Sequence, residues 1–340
     1  MNGRSWRAGR GDTALEAAGA EQGGPTPEAA PAGRGTPGLT DRQASRKHKR
    51  HARLVALGDA RVTPLAARAP MIVMLIYFAV PLVWLLISAT KDNSGLFSSF
   101  GFAFADSFNL LTNIADTVTR QDGIYLRWVA NTVLYAGTSA IVGTSLATAA
   151  GYAIARLNFP GRRAYFTVVL ATIMVPATAL TIPTYLLLSR VGLTNTPWAV
   201  ILPSIVSPFG FYLMAVYAQS AIPDGLLEAA RIDGAGEYRV FVQIALPQLV
   251  PGFITVLILN LVAAWNDYFL PLIMLSDTKL FPVTVGLATW NSQAAAGDAN
   301  EAVFSNVITG SVLAIVPLVV AFLALQRYWQ SGITMGAVKS

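Results

Sequence analysis

The sequence contains no cysteine. Disulfides, thiolate catalysis and cysteine-held metals are therefore excluded. Its two histidines, His48 and His51, both lie near the N-terminus, which rules out a histidine-based catalytic or metal site in the rest of the chain. No G-x-x-x-x-G-K-[ST] run occurs, so the chain cannot hold a nucleotide in a P-loop. Gly234-Ala235-Gly236 begins like a dinucleotide fingerprint, but Arg239 takes the third glycine position and no strand precedes it. HExxH, GxSxG and EF-hand patterns are missing too. Charge is scarce: 12% of the 340 residues are charged and 54% are hydrophobic. That balance is too apolar for a soluble protein of this length and points to an all-α polytopic membrane protein.

The net charge of +6 is not evenly spread. Residues 1–70 hold 12 Lys/Arg and 6 Asp/Glu, and the remaining 270 residues carry 12 of each sign. The basic balance thus describes a tail and gives no sign of nucleic-acid binding. Residues 1–65 are rich in Gly, Ala, Pro, Arg and Glu without apolar periodicity, and are expected to be a disordered basic cytoplasmic tail. The run Arg46-Lys47-His48-Lys49-Arg50-His51 can touch anionic lipid, or simply help set topology. The first apolar run starts near residue 69, too far along for a cleaved signal peptide.

Six stretches approach or exceed the ~20 residues needed to cross a bilayer: Ala69–Thr90, Trp128–Ala155, Ala164–Ser189, Trp198–Tyr217, Pro251–Met274 and Ala302–Gln326. The Lys/Arg bias of the connections alternates. The tail, the link Arg156–Arg163 and the segment 223–252 are on the basic side; 91–127 and 275–305 are poor in cations. The bias places both termini and the 223–252 loop in the cytoplasm. Gly143, Ala147, Gly151 and Ala155 form a small-residue ridge at four-residue spacing, suited to close helix contact. Pro176, Pro183, Pro203, Pro208 and Gly210 interrupt the third and fourth spans, as happens around a translocation path and also in ordinary membrane helices. In the fifth span Trp265, Asn266, Asp267 and Tyr268 are costly in hydrocarbon: a mid-membrane carboxylate costs ~2.5–3.5 kcal/mol on insertion scales. These residues line a wet path or a gate, or they make a helix–helix hydrogen bond, or Asp267 lies nearer the outer interface.

The segment 223–252 holds Asp224, Glu228, Asp233, Glu237, Arg231 and Arg239 between two apolar stretches. The reading is two short helices on the membrane surface. The first opens at Pro223 and Asp224, where proline and an acid suit a helix start. It ends at Gly234, where a left-handed cap wants glycine. Gly225 loosens its first turn by up to ~1 kcal/mol relative to alanine. The second runs from Glu237, anchors through Tyr238, Phe241 and Ile244, and is stopped by Pro247.

Glu228-Ala229-Ala230, three residues, Gly234, nine residues, Ile244, one residue, Leu246-Pro247 resembles, without gaps, the EAA signature of permease subunits of ABC importers. Ile232-Asp233-Gly234-Ala235 resembles the carbohydrate-uptake branch. Asn131-Thr132, Gly192-Leu193, Trp265-Asn266-Asp267 with Pro271, and Gly332–Lys339 agree with it; the C-terminus is similar to that of the smaller maltose-type subunit. The likeness covers residues 69–340, the expected transmembrane permease domain.

What this resemblance implies is a type I permease fold of six transmembrane helices in a bacterial plasma membrane. The subunit itself is non-catalytic and holds no cofactor; ATP and Mg belong to partner ATPase subunits. The implied partners are a second permease, two ATPases and an extracytoplasmic sugar-binding protein. The EAA residues Glu228, Ala229, Ala230, Asp233, Gly234, Ile244, Leu246 and Pro247 are the expected ATPase-coupling set. Asn131, Trp265, Asn266 and Asp267 are the expected path residues. The alternatives are an importer for a non-sugar solute, such as a polyol or glycerol phosphate, and an ion-coupled secondary transporter, for which Asp267 is the one candidate ligand.

Overall fold

The computed structural model describes the backbone of residues 68–296 and 303–336, with side chains for 68–296 and 303–326. The expected tail 1–65 and the last four residues lie outside the described residues. Among the described residues every regular element is helical.

A long apolar helix α1, Arg68–Ser88, opens the described chain. A short helix α2, Asn93–Ser98, follows, capped by the Asp92 carboxylate on the Gly95 N–H. Next comes α3, Leu110–Arg156, kinked where Gln121, Asp122 and Gly123 take left-handed backbone angles. Then come α4, Arg162–Ile173, and α5, Ala177–Arg190. The fourth apolar stretch is also divided, into α6, Pro197–Ser204, and α7, Pro208–Ala221. The expected surface helix is α8, Asp224–Ile232. It leads into α9, a continuous helix Glu237–Trp265. Finally come α10, Phe269–Met274, α11, Val283–Ala295, and α12, Val303–Gly336.

Two expectations about these elements are corrected. Pro247 does not stop the second loop helix, and the fifth span does not begin at Pro251. One helix runs through both prolines. Pro247 is preceded by a π turn at Val240–Ala245, in which the Leu246 N–H bonds the Phe241 carbonyl five residues back, and Pro251 sits within the α-helix that follows. A proline inside an α-helix lacks a donor and collides with the carbonyl four residues earlier. A wider turn just before it relieves both problems. The far end of this span is shorter than expected, because the helix breaks at Asn266.

Side-chain bonds fix which ends of the helices lie together. Trp128 Nε1 donates to Thr278 O (2.8 Å), Tyr135 Oη to Leu280 O (2.9 Å), and Asn195 Oδ1 accepts from the Ser276 and Asp277 N–H groups (2.9 Å each). The α5–α6 turn therefore sits at the tryptophan end of α3. The Arg162 side chain, where α4 starts, bonds the Ala155 carbonyl at the other end of α3, here the loop end. It follows that α4 and α5 together cross the bundle. They bend by 102° at the break before Pro176; among the described residues five helices are long and apolar enough to cross a membrane, and six with this bent pair counted as one span.

The small-residue ridge of α3 is where the bundle closes. A Cβ on Gly143 would stand 2.9 Å from the Ile205 carbonyl, and one on Gly151 would stand 2.7 Å from the Ala215 nitrogen. Backbones approach this closely only without side chains. The break between α6 and α7 is held by polar groups: Ser207 Oγ donates to Asn260 Oδ1 (2.8 Å), and Asn260 Nδ2 donates to Thr144 Oγ1 (3.0 Å).

Candidate functional site

The loop end has its own small core. Leu227 and Ala230 of α8, with Val240, Ala245 and Leu249 of α9, are buried against Tyr152, Met214 and Ile222. The Tyr152 and Phe241 rings stand 4.9 Å apart. This burial fixes one side of α8 and leaves the other in solvent. Glu228, Ala229, Asp233 and Gly234 are exposed on it. Of the expected coupling residues, Ala230 is buried, while Ile244 and Leu246 are half-buried and belong to the anchor; Pro247 is exposed.

Gly234 has φ +80°, the left-handed cap expected of it. Its N–H bonds the Arg231 carbonyl, and the Ala235 N–H bonds the Ala230 carbonyl (3.0 Å each). This is a Schellman ending, which satisfies two helix-terminal carbonyls. An ion pair bridges the corner: Arg231 Nε lies 2.8 Å from Glu237 Oε1. That hydrogen bond holds the Arg231 guanidinium above its ordinary pKa.

The anchor expected from Tyr238 is a second correction. Phe241 and Ile244 pack inward, but Tyr238 is 82% exposed. The π turn explains the difference. One extra residue in a turn rotates the flanking helix faces by about 100° against each other. Tyr238 thus joins Glu228 and Ala229 among the exposed residues of this loop.

One residue of this end was read from sequence only as a topology charge. Arg156, the last residue of α3, buries its side chain to 9% exposure and binds four acceptors. They are the carbonyls of Ala218, Gln219 and Ile222 and the carboxylate of Asp224. A single guanidinium therefore ties α3 to the end of α7 and the start of α8. The signal available in sequence was its place at the exact junction of an apolar run and a basic link.

The expected path residues gather at the tryptophan end. Asn131 is half-buried, and its amide donates to the Lys279 and Phe281 carbonyls (2.9 and 3.0 Å). Trp265 is buried at 7% exposure. Asn266 is exposed and bonds back to the Val262 carbonyl. Asp267 accepts from the Leu270 N–H (3.4 Å) just before α10, and its own carbonyl accepts from Thr284 Oγ1 (2.8 Å). The segment 279–284 thus joins Asn131 to Asp267, and Asp267 lies at a helix break near one end of the bundle. Asn260, deeper in the same helix, was not singled out, although it is a lone amide in an apolar run.

Among the described residues no cluster of His, Asp or Glu has the grouping of a metal site.

Comparison with known proteins adds to this geometry. The family described as "Binding-protein-dependent transport system inner membrane component" matches residues 141–334. The arabinooligosaccharides transport system permease protein of Halalkalibacterium halodurans is 32% identical over 259 residues, 76% of this chain and 90% of that one. The diacetylchitobiose uptake system permease protein of Streptomyces coelicolor is 29% identical over 289 residues, 85% and 93% of the two chains. The lactose transport system permease protein of Rhizobium radiobacter is 31% identical, covering 76% and 90%. A crystal structure of a bacterial ABC transporter involved in the import of the acidic polysaccharide alginate shares the fold, with TM-score 0.68 at 19% identity, over 80% of this chain and 98% of that one. A multi-pass helical bundle, a capped surface helix carrying the EAA residues and these matches together make the chain a transporter subunit rather than a catalytic enzyme: it belongs to the family of inner membrane components of binding-protein-dependent transport systems.

Proposed function

We propose that this chain is one of two permease subunits of an ATP-driven importer, and that its cargo is a sugar. The observation that carries the coupling role is the two-sided α8. Leu227 and Ala230 lock it to the bundle, while Glu228, Ala229 and Gly234 face solvent. A helix with small side chains outward fits a cleft, and an exposed carboxylate meets a lysine or arginine of an ATPase in a charge-assisted contact. The two termini and α8 face the cytoplasm, as the Lys/Arg distribution supports. The sugar assignment is supported by the named cargo of the three relatives. A binding protein outside the membrane delivers it, and ATP and Mg belong to the ATPases.

The path follows the broken spans. Met174 is 86% exposed at the α4–α5 corner, and Asn266 is exposed at the α9 break. Hydrocarbon cannot solvate the free carbonyls of a broken helix, so such corners face a wet cavity or another protein. Substituting Glu228→Lys or Gly234→Asp is expected to leave insertion and assembly intact and to separate ATP hydrolysis from uptake in proteoliposomes. Normal uptake with both changes combined sinks the coupling assignment.

A further inference from the structure

A groove of about 170 Å³, open on one side, lies at the loop end between the last turn of α3, the first turn of α4 and the second half of α7. Ile154, Phe166 and Val216 give it an apolar lining, and Arg162, Arg163 and Gln219 a polar one. Neither arginine has a carboxylate partner among the described residues. Arg162 makes three long contacts, to the Ala155 and Leu157 carbonyls and to Asn158 Oδ1 (3.3, 3.4 and 3.3 Å). The Arg163 guanidinium bonds none of the described residues.

We propose that this groove binds one anionic glycerophospholipid of the cytoplasmic leaflet, with its phosphate bridged by Arg162 and Arg163. The proposal rests on the membrane orientation given under Proposed function. Two cations without counter-charge beside an apolar wall, at the level where three spans meet the link residues, demand an anion with an apolar continuation. An inorganic anion leaves the apolar wall wet. A zwitterionic head brings a cation of its own against the two guanidinium groups. An anionic phospholipid satisfies both halves, since basic pockets between membrane helices at this face suit such heads. The acyl chains have a surface to lie on: α4 buries no residue, and Tyr165 and Val168 are 68% and 64% exposed. The site also abuts the Arg156 junction, because Gln219 lines the groove while its carbonyl is held by Arg156. A bound lipid therefore braces the joint from which α8 departs.

The test uses the whole importer, this chain with its partners, purified from membranes and exchanged into nanodiscs of phosphatidylglycerol and phosphatidylcholine. Native mass spectrometry counts the phosphatidylglycerol that survives delipidation. One retained molecule per copy of this chain is expected, with at least a tenfold loss in the Arg162→Gln/Arg163→Gln double variant. Val216→Trp fills the groove with both charges in place and is expected to give the same loss; Arg190→Gln, at the other end, is expected to give none. Equal retention in the wild type and both groove variants overturns the proposal. A photo-crosslinking residue at position 163 that captures a protein subunit and no lipid also overturns it, and makes the groove a protein interface. Co-purification of ATPase subunits is scored separately. Its failure with lipid retained strikes the importer assignment and leaves the lipid site standing.

Discussion

The two ends of the bundle are held together by different means. At the tryptophan end Trp128 and Trp290 pack with ring centroids 4.8 Å apart, with Tyr125 beside them, all 1–2% exposed. Side-chain bonds lock these elements in register. Tyr125 Oη donates to the Gly310 carbonyl (2.7 Å), and Thr132 Oγ1 accepts from the Val283 N–H (2.8 Å). Even the left-handed kink of α3 is tied down, since Gln121 Oε1 accepts from Trp290 Nε1 (3.2 Å). The loop end has mostly alanines, valines and leucines, with the Tyr152–Phe241 ring pair, one π turn, one positive-φ glycine and one arginine clamp. Large aromatic side chains with directional bonds define one arrangement; small aliphatic surfaces can slide with little loss. The tryptophan end thus carries more directional side-chain bonds between its elements, and its arrangement is expected to be the harder of the two to change.

The largest effect that would break this contrast is at Gly286. A Cβ there would stand 2.2 Å from the Trp128 ring, which is itself buried and cannot retreat. Overpacking of this kind costs about 3 kcal/mol. Gly286→Leu is expected to abolish recovery of a monodisperse chain in detergent, whereas Gly236→Leu, in open space at the loop end, is not. Comparable losses from both substitutions would show that the two ends are equally rigid.

Arg156→Ala should come next. It removes four charge-assisted contacts at once, each of a type with a net contribution of about 1.5–3 kcal/mol before neighbours and water compensate. Hydrogen exchange is expected to quicken in 218–232 and to stay unchanged in 278–290. Uptake is expected to fall more than tenfold with assembly retained. Protection lost at both ends would mean that Arg156 supports the whole bundle rather than one joint.

Gly234→Ala is smaller. There is room for the methyl group, so only the left-handed backbone resists it, at about 1–2 kcal/mol. The expected result is faster exchange confined to the α8–α9 corner and a partial loss of coupling, milder than that from Gly234→Asp. Full coupling in the alanine variant would mean that the corner's shape is not what the partner reads.

Much of this architecture was legible in the sequence because membranes impose strong rules. Hydrocarbon thickness sets the length of each apolar run, and the Gly143–Ala155 ridge has a period that only a helix makes meaningful. Gly234 was legible because few residues other than glycine accept its backbone angles. The π turn was not, since no residue type marks it; the same uncertainty hid the exposure of Tyr238 and the passage of α9 through Pro247. The Arg156 clamp was hidden for another reason. Its acceptors are mostly backbone carbonyls more than 60 residues away, which leave no trace in composition. The depth of Asp267 was left open by the sequence, because the helix break at Asn266 that places it near one end of the bundle leaves no mark in residue type.

Gly225 gives the finest test of the contrast between the two ends. It lies in the first turn of α8 with nothing within 4 Å of where a Cβ would be, and its φ is not in the left-handed range. Alanine is therefore accommodated there and should firm the helix by about 0.5–1 kcal/mol, in part by restricting the unfolded chain. Exchange in α8 is expected to slow two- to fivefold. If α8 works as a stiff lever anchored by Leu227 and Ala230, uptake should stay within twofold of normal. A tenfold fall in uptake, with α8 more protected and the complex intact, would carry a different message. The added methyl group would then be meeting the partner's surface, and the docked face of α8 would extend from Glu228 back to Gly225, the first turn of the helix.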